Sequence, residues 1–327
     1  MDQQPFLVTF YGVRGSLPSP MVGQDVREKL INALEQASPA NLKNAASREA
    51  FIDGLPAHLK SCYGGNSSCV HLKVGGHHVI FDGGSGLRVL GNQLLEQEFG
   101  KGQGKAHLFL SHTHWDHIMG IPFFVPFYRK GNKVNIYGSH PRLKERLVGQ
   151  QSFDYFPVPF DAYLADINIV SLEKQKELVL GDVRITWHEM NHPGQCFSYR
   201  VEYQGKSFVY ATDSEYKDLG DENLKPTIEF FKGADLLVFD SQYTFIEGVE
   251  KEDWGHSSTF IGVDIALEAK VKKIAFYHHE PTYSDFKLVH IFEQTKKYLK
   301  AIGPGSNLQM ILSQEGLTLD MLGLSTG

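Results

Sequence analysis

The sequence has only three cysteines, Cys62, Cys69 and Cys196, in 327 residues. The odd count and the lack of framework spacing exclude a disulfide-stapled scaffold, so the thiols are read as reduced and the protein as cytoplasmic. Cys62 and Cys69 have no histidine at zinc-finger spacing, which leaves ordinary packing as their expected role. Long apolar runs are missing as well. No stretch approaches the length of a membrane span, and the N-terminus has no charged region followed by an apolar core, so neither a membrane segment nor a secretory signal is expected. Positive charge is also in short supply. A formal net charge of −6 argues against broad nonspecific binding to nucleic acid, which needs a basic field, while leaving local basic patches open. Internal repeats at solenoid periods are absent.

The apolar share of 42% supports a substantial core, and the length suits one large domain, expected to span residues 1–327. Short β-rich runs at 6–11, 69–74 and 78–81 are separated by glycine turns, with Gly75-Gly76 reading as a hairpin. Between Pro20 and Tyr63 the character changes. Helical periodicity over 25–36 and again over 47–60 predicts a two-helix insertion at 21–62, a lid or a homodimer contact. Helices are expected at 86–99 and 142–150, and strands at 133–137, 167–170, 183–188, 197–203 and 207–211. The chain then closes with strand 235–239, helix 258–269, strand 273–277 and helix 285–301. Strand runs in each half with helices outside imply two sheets packed face to face under helical layers.

One run carries most of the chemistry: Ser111-His112-Thr113-His114-Trp115-Asp116-His117, following the apolar stretch Leu108-Phe109-Leu110. Imidazole nitrogen and carboxylate oxygen suit Zn²⁺ and its borderline neighbours. Residues two apart on a strand continuation share a face, so His112 and His114 can grip one ion together. Gly120 and Pro122 follow soon after, so Asp116 and His117 lie past a turn and can address a second ion.

His-Thr-His-Trp-Asp-His resembles the signature of the metallo-β-lactamase superfamily of dinuclear metallohydrolases. Further motifs follow in that family's order: Tyr11-Gly12-Val13-Arg14-Gly15-Ser16, Tyr63-Gly64-Gly65-Asn66, Phe81-Asp82-Gly83-Gly84, Asn191-His192-Pro193-Gly194, Ala211-Thr212-Asp213, Gly255-His256-Ser257-Ser258 and Tyr277-His278-His279. Together they span nearly the whole chain. The resemblance implies a four-layer αββα sandwich with the metal site at the edge where the sheets meet.

The same resemblance implies a ligand set. His112, His114 and His192 would hold the first ion; Asp116, His117 and His278 the second; Asp213, at the end of its strand, would bridge both. His278 is chosen over His279 because it directly follows the apolar strand; His279 would then lie beside the site, facing substrate. Two divalent ions are expected, Zn²⁺ by default, with Mn²⁺ or Fe²⁺ accepting the same donors. The implied reaction is hydrolysis by a metal-activated hydroxide, with Asp116 taking the nucleophile's proton and His256 giving one to the leaving group. Against that role, Ser257 or Ser258 could simply cap the following helix with His256 on the surface. Asp82 is placed to orient a ligand imidazole, and Arg14 to reach the substrate phosphate. The aromatic stretches 122–128 and 153–160 could wall a pocket or pack the core.

The Gly-Val-Arg-Gly-Ser and Gly-His-Ser segments resemble the phosphodiesterase and RNA-processing branch of that family. They favour a phosphodiester substrate, and an acidic, lidded chain suits a cyclic nucleotide or similar small one. Transfer-RNA 3′ processing is the nuclease alternative, disfavoured by the lack of a long basic, glycine-rich arm. A thioester or lactone hydrolase is the alternative among other enzymes. A metal-binding sensor or scaffold is the alternative outside them, opposed by the full ligand set.

Overall fold

The computed structural model describes residues 4–217 and 222–323; the two ends of the expected domain, 1–3 and 324–327, and the stretch 218–221 lie outside the described residues. Six strands build most of the first sheet: β1 (Phe6–Gly12), β2 (Cys69–Val74), β3 (His77–Phe81), β4 (Lys105–Phe109), β5 (Lys133–Gly138) and β6 (Asp166–Ser171). The second sheet consists of β7 (Glu177–Leu180), β8 (Val183–Met190), β9 (Cys196–Tyr203), β10 (Lys206–Ala211), β11 (Leu236–Asp240), β12 (Lys273–Tyr277) and β13 (Gln309–Leu312). The last strand, β14 (Thr318–Asp320), returns to the first sheet and pairs antiparallel with β1. Spatial orders are β14-β1-β2-β3-β4-β5-β6 and β13-β12-β11-β10-β9-β8-β7.

Alternation along the strands creates the layers. In β1, Phe6, Val8 and Phe10 are fully buried and face the second sheet, meeting a shared core that includes Ile185, Tyr199, Phe208 and Tyr277. The other face of the first sheet buries Ile80, Leu108 and Ile136 beneath α5 (Gly86–Leu95), which contributes Leu87, Leu90 and Leu94. The outer face of the second sheet buries Val209, Leu237 and Phe276 beneath α8 (Lys225–Phe231) and α10 (Thr259–Glu268), with α11 (Asp285–Ile302) packed beside them. Helix, sheet, sheet and helix form the four-layer αββα sandwich that the sequence predicts. No helix among the described residues is long and apolar enough to cross a membrane.

The insertion departs from its expectation. Four short helices replace two: α1 (Gly23–Gln36), α2 (Pro39–Leu42), α3 (Ala45–Gly54) and α4 (Ala57–Lys60). Prolines explain the difference. Pro39 opens α2 at a first-turn position, and Pro56, which has no N–H to donate, separates α3 from α4. Lys29 is the buried residue of α1, and its ammonium meets the Asp285 carboxylate and the Ser61 carbonyl, each at 2.5 Å. Val26, Leu30 and Leu34 line an open cleft of about 550 Å³ opposite Phe51 and Ile52 of α3.

Strands β7, β13 and β14 escaped the sequence reading because four- and three-residue edge strands carry too little alternation to register. The expected helix over 86–99 ends at Leu95, and residues 98–101 form a separate 3₁₀ turn. The short α6 (Trp115–Ile118), α7 (Leu143–Gly149) and α9 (Phe245–Glu250) complete the helices used below.

Phe81 sits at the centre of the sandwich. Its ring lies 5.7 Å from Phe109, 5.5 Å from Tyr199, 5.7 Å from Phe208 and 5.3 Å from Tyr210, centroid to centroid. Phe81→Ala should therefore cost about 3–5 kcal/mol, read from chemical denaturation. A loss under about 1 kcal/mol would show that the neighbouring rings collapse into the space and that the centre is not tightly packed.

Candidate metal centre

The site forms where strands of both sheets end. Beyond β4 the chain passes through Ser111 and His112 to His114, which starts α6 and so turns Asp116 and His117 inward. Met190 ends β8 and leads to His192; Ala211 ends β10 and leads to Asp213; Tyr277 ends β12 and is followed by His278. Asp82, Asp213 and His278 adopt left-handed backbone angles, with φ of 60°, 47° and 61°. Residues with side chains rarely take that conformation, and three such residues on one site mark a turn geometry enforced by the surrounding packing.

Two groups of donor atoms result, each with its members within 4.8 Å of one another. The first contains His112, His114 and His192, and the second Asp116, His117, Asp213 and His278. In the first, His192 Nε2 lies 3.2 Å from His114 Nδ1, and the buried His112 Nε2 has no hydrogen-bond partner. In the second, His117 Nε2 lies 3.1 Å from Asp116 Oδ2, 3.2 Å from Asp213 Oδ2 and 3.3 Å from His278 Nε2. Asp213 spans the two groups: Oδ2 faces His117, while Oδ1 faces His112 Nε2 at 3.9 Å.

The opposite edges of the rings are tied down. His117 Nδ1 donates to Asp82 Oδ2 at 2.7 Å, and His192 Nδ1 to the Gly255 carbonyl at 2.9 Å. Each Nε2 faces the site: burial keeps His192 neutral with a lone pair there, and His117, charged against the carboxylates around it, would present one once a cation displaced its proton. Two glycines make room for the rings. A Cβ on Gly255 would overlap His192, and one on Gly15 would overlap His278. Asp116 Oδ2 also accepts the Ser16 N–H at 2.8 Å.

Electrostatics make the same case. Burial alone would raise the pKa of Asp116 and Asp213, yet His117 and His278 facing them hold both well below the usual carboxylate range. Burial would likewise keep His117 neutral, but Asp116, Asp213 and Asp82 drive its pKa well up. Buried carboxylates crowded against imidazole lone pairs fit divalent cations: the oxygens supply negative charge, and the orphaned His112 Nε2 supplies a donor awaiting a partner. The chemistry of the residues thus fits divalent metal ions.

His256 sits at the edge of the second group. Its Nδ1 lies 2.9 Å from Asp240 Oδ2, and its ring stacks on His278 at a centroid distance of 5.1 Å. The ring is mostly buried rather than on the surface, and Ser258 caps α10 by accepting the Ile261 N–H, so cap and histidine coexist. Burial opposes a charge on His256, but Asp240, with Asp213 and Asp116, outweighs it and brings its pKa up to about 9. Asp240, His256 and His278 form a third group of donors within 4.8 Å, sharing His278 with the second.

Asp240 was not singled out from the sequence. It ends the apolar strand β11 as Asp213 follows β10, and that parallel was the available signal. Tyr210, which donates to Asp82 at 2.8 Å, and Gln242, which donates to Ser16 Oγ at 3.0 Å, were missed because nothing in their local sequence separates them from core and loop residues.

Two expectations need correction. His279 does not face the site: it is buried, with Nε2 3.0 Å from the Ser313 carbonyl, and burial lowers its pKa to about 3. Successive residues leaving a strand point to opposite sides, so orienting His278 inward turns His279 away. Arg14 does not reach toward a substrate phosphate either. Its guanidinium donates to the carbonyls of Gly64, Glu280 and Tyr283 and lies 3.6 Å from Asp285, binding the 14–16 turn to the start of α11. Of the two aromatic stretches, Phe124 and Phe127 are core, whereas Phe153 and Tyr155 are exposed.

Residues 77–279 match the family described as Beta-lactamase superfamily domain. A ribonuclease Z of Thermoplasma acidophilum is 24% identical over 223 residues, covering 55% of this chain and 70% of the relative. Among solved structures, the metallo-beta-lactamase fold protein YhfI from Bacillus subtilis superposes with a TM-score of 0.63 at 18% identity, covering 97% of this chain and 100% of its own. Unliganded yeast PDE1 superposes with a TM-score of 0.59 at 14% identity, again over 97% and 100%.

Seven donors are more than one tetrahedral ion takes, so metal analysis of protein purified without chelator should return about two divalent ions per chain. One ion or none, with no second ion on titration, would overturn the two-ion arrangement. Asp82→Asn should weaken metal affinity by about 10–100-fold through the misoriented His117, measured by competition with a chromogenic chelator.

Proposed function

The chain belongs to the β-lactamase superfamily and is a metal-dependent hydrolase, and from that premise we propose that it hydrolyses a small phosphodiester such as a cyclic nucleotide. The observation carrying this reading is the pair of donor groups joined by Asp213, with the His256–Asp240 pair at its edge. Two divalent ions in such a site, zinc by default, lower the pKa of water and polarise a phosphoryl oxygen.

In this reading His112, His114 and His192 would hold one ion, Asp116, His117 and His278 the other, and Asp213 would lie between them. Asp116 is anchored through Oδ2 by Ser16 and His117, and it accepts the proton that the attacking water loses. The leaving oxygen needs a proton in return. His256 holds Asp240 through Nδ1, which leaves Nε2 to donate, and the Asp240 carboxylate favours the charged ring. Asp240 is itself fixed by the backbone N–H groups of Gln242 at 3.0 Å and Ser214 at 3.3 Å, so it positions the ring rather than touching the reacting atoms.

The relatives named ribonuclease Z support phosphodiester cleavage as the chemistry and favour a second reading, cleavage of RNA. The chain's acidic balance favours the small substrate over a polyanion. Bis(p-nitrophenyl) phosphate, cyclic nucleotides, a precursor transfer RNA, a lactone and a glutathione thioester, assayed side by side, test these readings. Hydrolysis of only the lactone or thioester would overturn the phosphodiester assignment, and no turnover with any of them would favour the sensor or scaffold.

Within the phosphodiester reading, Asp116→Ala and Asp213→Ala should abolish turnover; wild-type-like rates with unchanged metal content would contradict their roles. His256→Ala should lower kcat by about 10²–10⁴-fold with metal content intact. The loss should be large for a sugar alkoxide leaving group and small for p-nitrophenolate, which departs without a proton. Equal losses for both would assign His256 to phosphate binding, and loss of metal would make it a ligand, as its place beside Asp240 and His278 permits.

A further inference from the structure

The helical insertion between Pro20 and Tyr63 leaves an apolar face that no other layer of the fold covers. Val26, Leu30 and Leu34 follow one another at four-residue spacing along α1 and line one side of the open cleft, with Leu42, Phe51 and Ile52 across from them. Leu30 is 59% exposed and Leu34 65%. In all, nine large apolar side chains between residues 17 and 52 are exposed by a third or more. Soluble monomers rarely leave so much apolar surface together, and such a face marks an interaction site. The insertion is also tied to the body of the fold along its length. Ser19 Oγ donates to the Pro281 carbonyl at 2.6 Å, Lys29 meets Asp285, the His58 ring packs on Phe286 at 5.3 Å, and Gln314 donates to the Cys62 carbonyl at 2.9 Å. A lid has to swing, and contacts at both ends and in the middle oppose that.

We propose that this face is the contact between two copies of the chain, related by a two-fold axis, with α1 of each copy seated in the cleft of the other. Area, shape and charge each support it. The nine side chains, at roughly half exposure, offer apolar surface on the order of 400 Å². That is close to the apolar part, about 450–500 Å², of a standard half-interface of about 800 Å². The row of Val26, Leu30 and Leu34 forms a ridge, and the cleft beside it is a groove, so one surface carries both halves of a helix packing. Such self-complementarity is what a two-fold contact requires. Arg48 and Lys60 line the cleft, and their side chains donate to the Leu42 and Asp53 carbonyls without meeting a carboxylate among the described residues. Glu28 and Glu35 of α1 form no ion pair among the described residues either. Seating α1 in the partner's cleft brings these acids to the cationic rim. A small apolar ligand would fill the cleft but leave Leu17, Val22 and Ile31, which lie outside it, exposed. The breadth of the face therefore selects a protein surface.

Sedimentation velocity and light scattering of the full chain over a concentration series test this without any substrate, so the outcome stands apart from the phosphodiester reading. The wild type should be mainly dimeric at about 10 µM and dissociate on dilution. Leu30→Asp and Leu34→Asp alter side chains that are already exposed, so circular dichroism and metal content should match the wild type. Each should weaken association by about tenfold or more, because a carboxylate is placed inside an apolar contact. Arg48→Glu should weaken it as well, by setting like charges against the partner's α1. Hydrogen exchange on the wild type gives a reading that needs no variant: amides of α1 and α3 should lose protection on dilution while those of β10 and β12 keep theirs. A monomer at every concentration would overturn the proposal. So would a dimer that Leu30→Asp and Leu34→Asp leave unchanged, since the contact would then lie elsewhere. A monomer that sediments with phospholipid vesicles through Leu30 and Leu34 would assign the face to a membrane surface and overturn the two-fold contact.

Discussion

The site depends on one buried carboxylate. Asp82 lies at the end of β3 and collects four donors: the Ser111 N–H and hydroxyl from the end of β4, the Tyr210 hydroxyl from β10, and His117 Nδ1 from α6. Three distances are 2.7 Å and the Tyr210 distance is 2.8 Å, the short range of charge-assisted hydrogen bonds. Tyr210 belongs to the second sheet and Ser111 follows a strand of the first, so one side chain ties the two sheets together while setting the rotation of the His117 ring. A lone carboxylate at this depth would be costly; with four donors its burial is compensated and becomes a constraint on geometry. The left-handed backbone at Asp82 is the local strain that accompanies this position.

Around that anchor the site concentrates negative charge that the fold alone cannot neutralise. Asp116, Asp213 and Asp240 are all buried, and their contacts are with imidazoles and backbone amides rather than with arginine or lysine. The buried cations of this neighbourhood, Arg14 and Lys29, are instead committed to Asp285 on the far side of the 14–16 turn. That division has a physical logic. A lysine or arginine among the donors would compete with a divalent ion for the same oxygens, whereas neutral imidazole adds donors without adding charge. The same Arg14 contacts hold the turn whose Ser16 amide anchors Asp116, so the structural ion pairs support the site from outside it.

Much of this was legible in the sequence because strand ends carry it. Residues 69–74 and 273–277 are strands with the bounds expected from their β-rich, apolar composition, and the polar residue following an apolar strand is the position that projects into the site. His112 and His114 showed the two-residue spacing that one-face geometry requires. What stayed hidden depends on long-range contact. Asp240 looks like any strand-end aspartate until His256, sixteen positions later, folds back onto it. Arg14 was expected near a substrate phosphate from its place in the Gly-Val-Arg-Gly-Ser turn; its real partners lie beyond residue 279 and at Gly64. His279 lost its expected role for a local reason: adjacent residues leaving a strand cannot both face one side.

His278 connects the two halves of the chemistry. Its Nε2 faces Asp116 and Asp213 at 3.2 and 3.4 Å, while its Nδ1 lies 3.8 Å from Asp240, too far for a hydrogen bond, and the His256 ring stacks against it. The two rings meet different oxygens of Asp240: Oδ2 holds His256 Nδ1 at 2.9 Å, and Oδ1 is the one nearer His278. One carboxylate, fixed by the backbone amides of Gln242 and Ser214, thus sets the position of the ring beside the donor group while that ring packs on His278 within it, and three side chains in contact join the donor group to its edge without any moving segment.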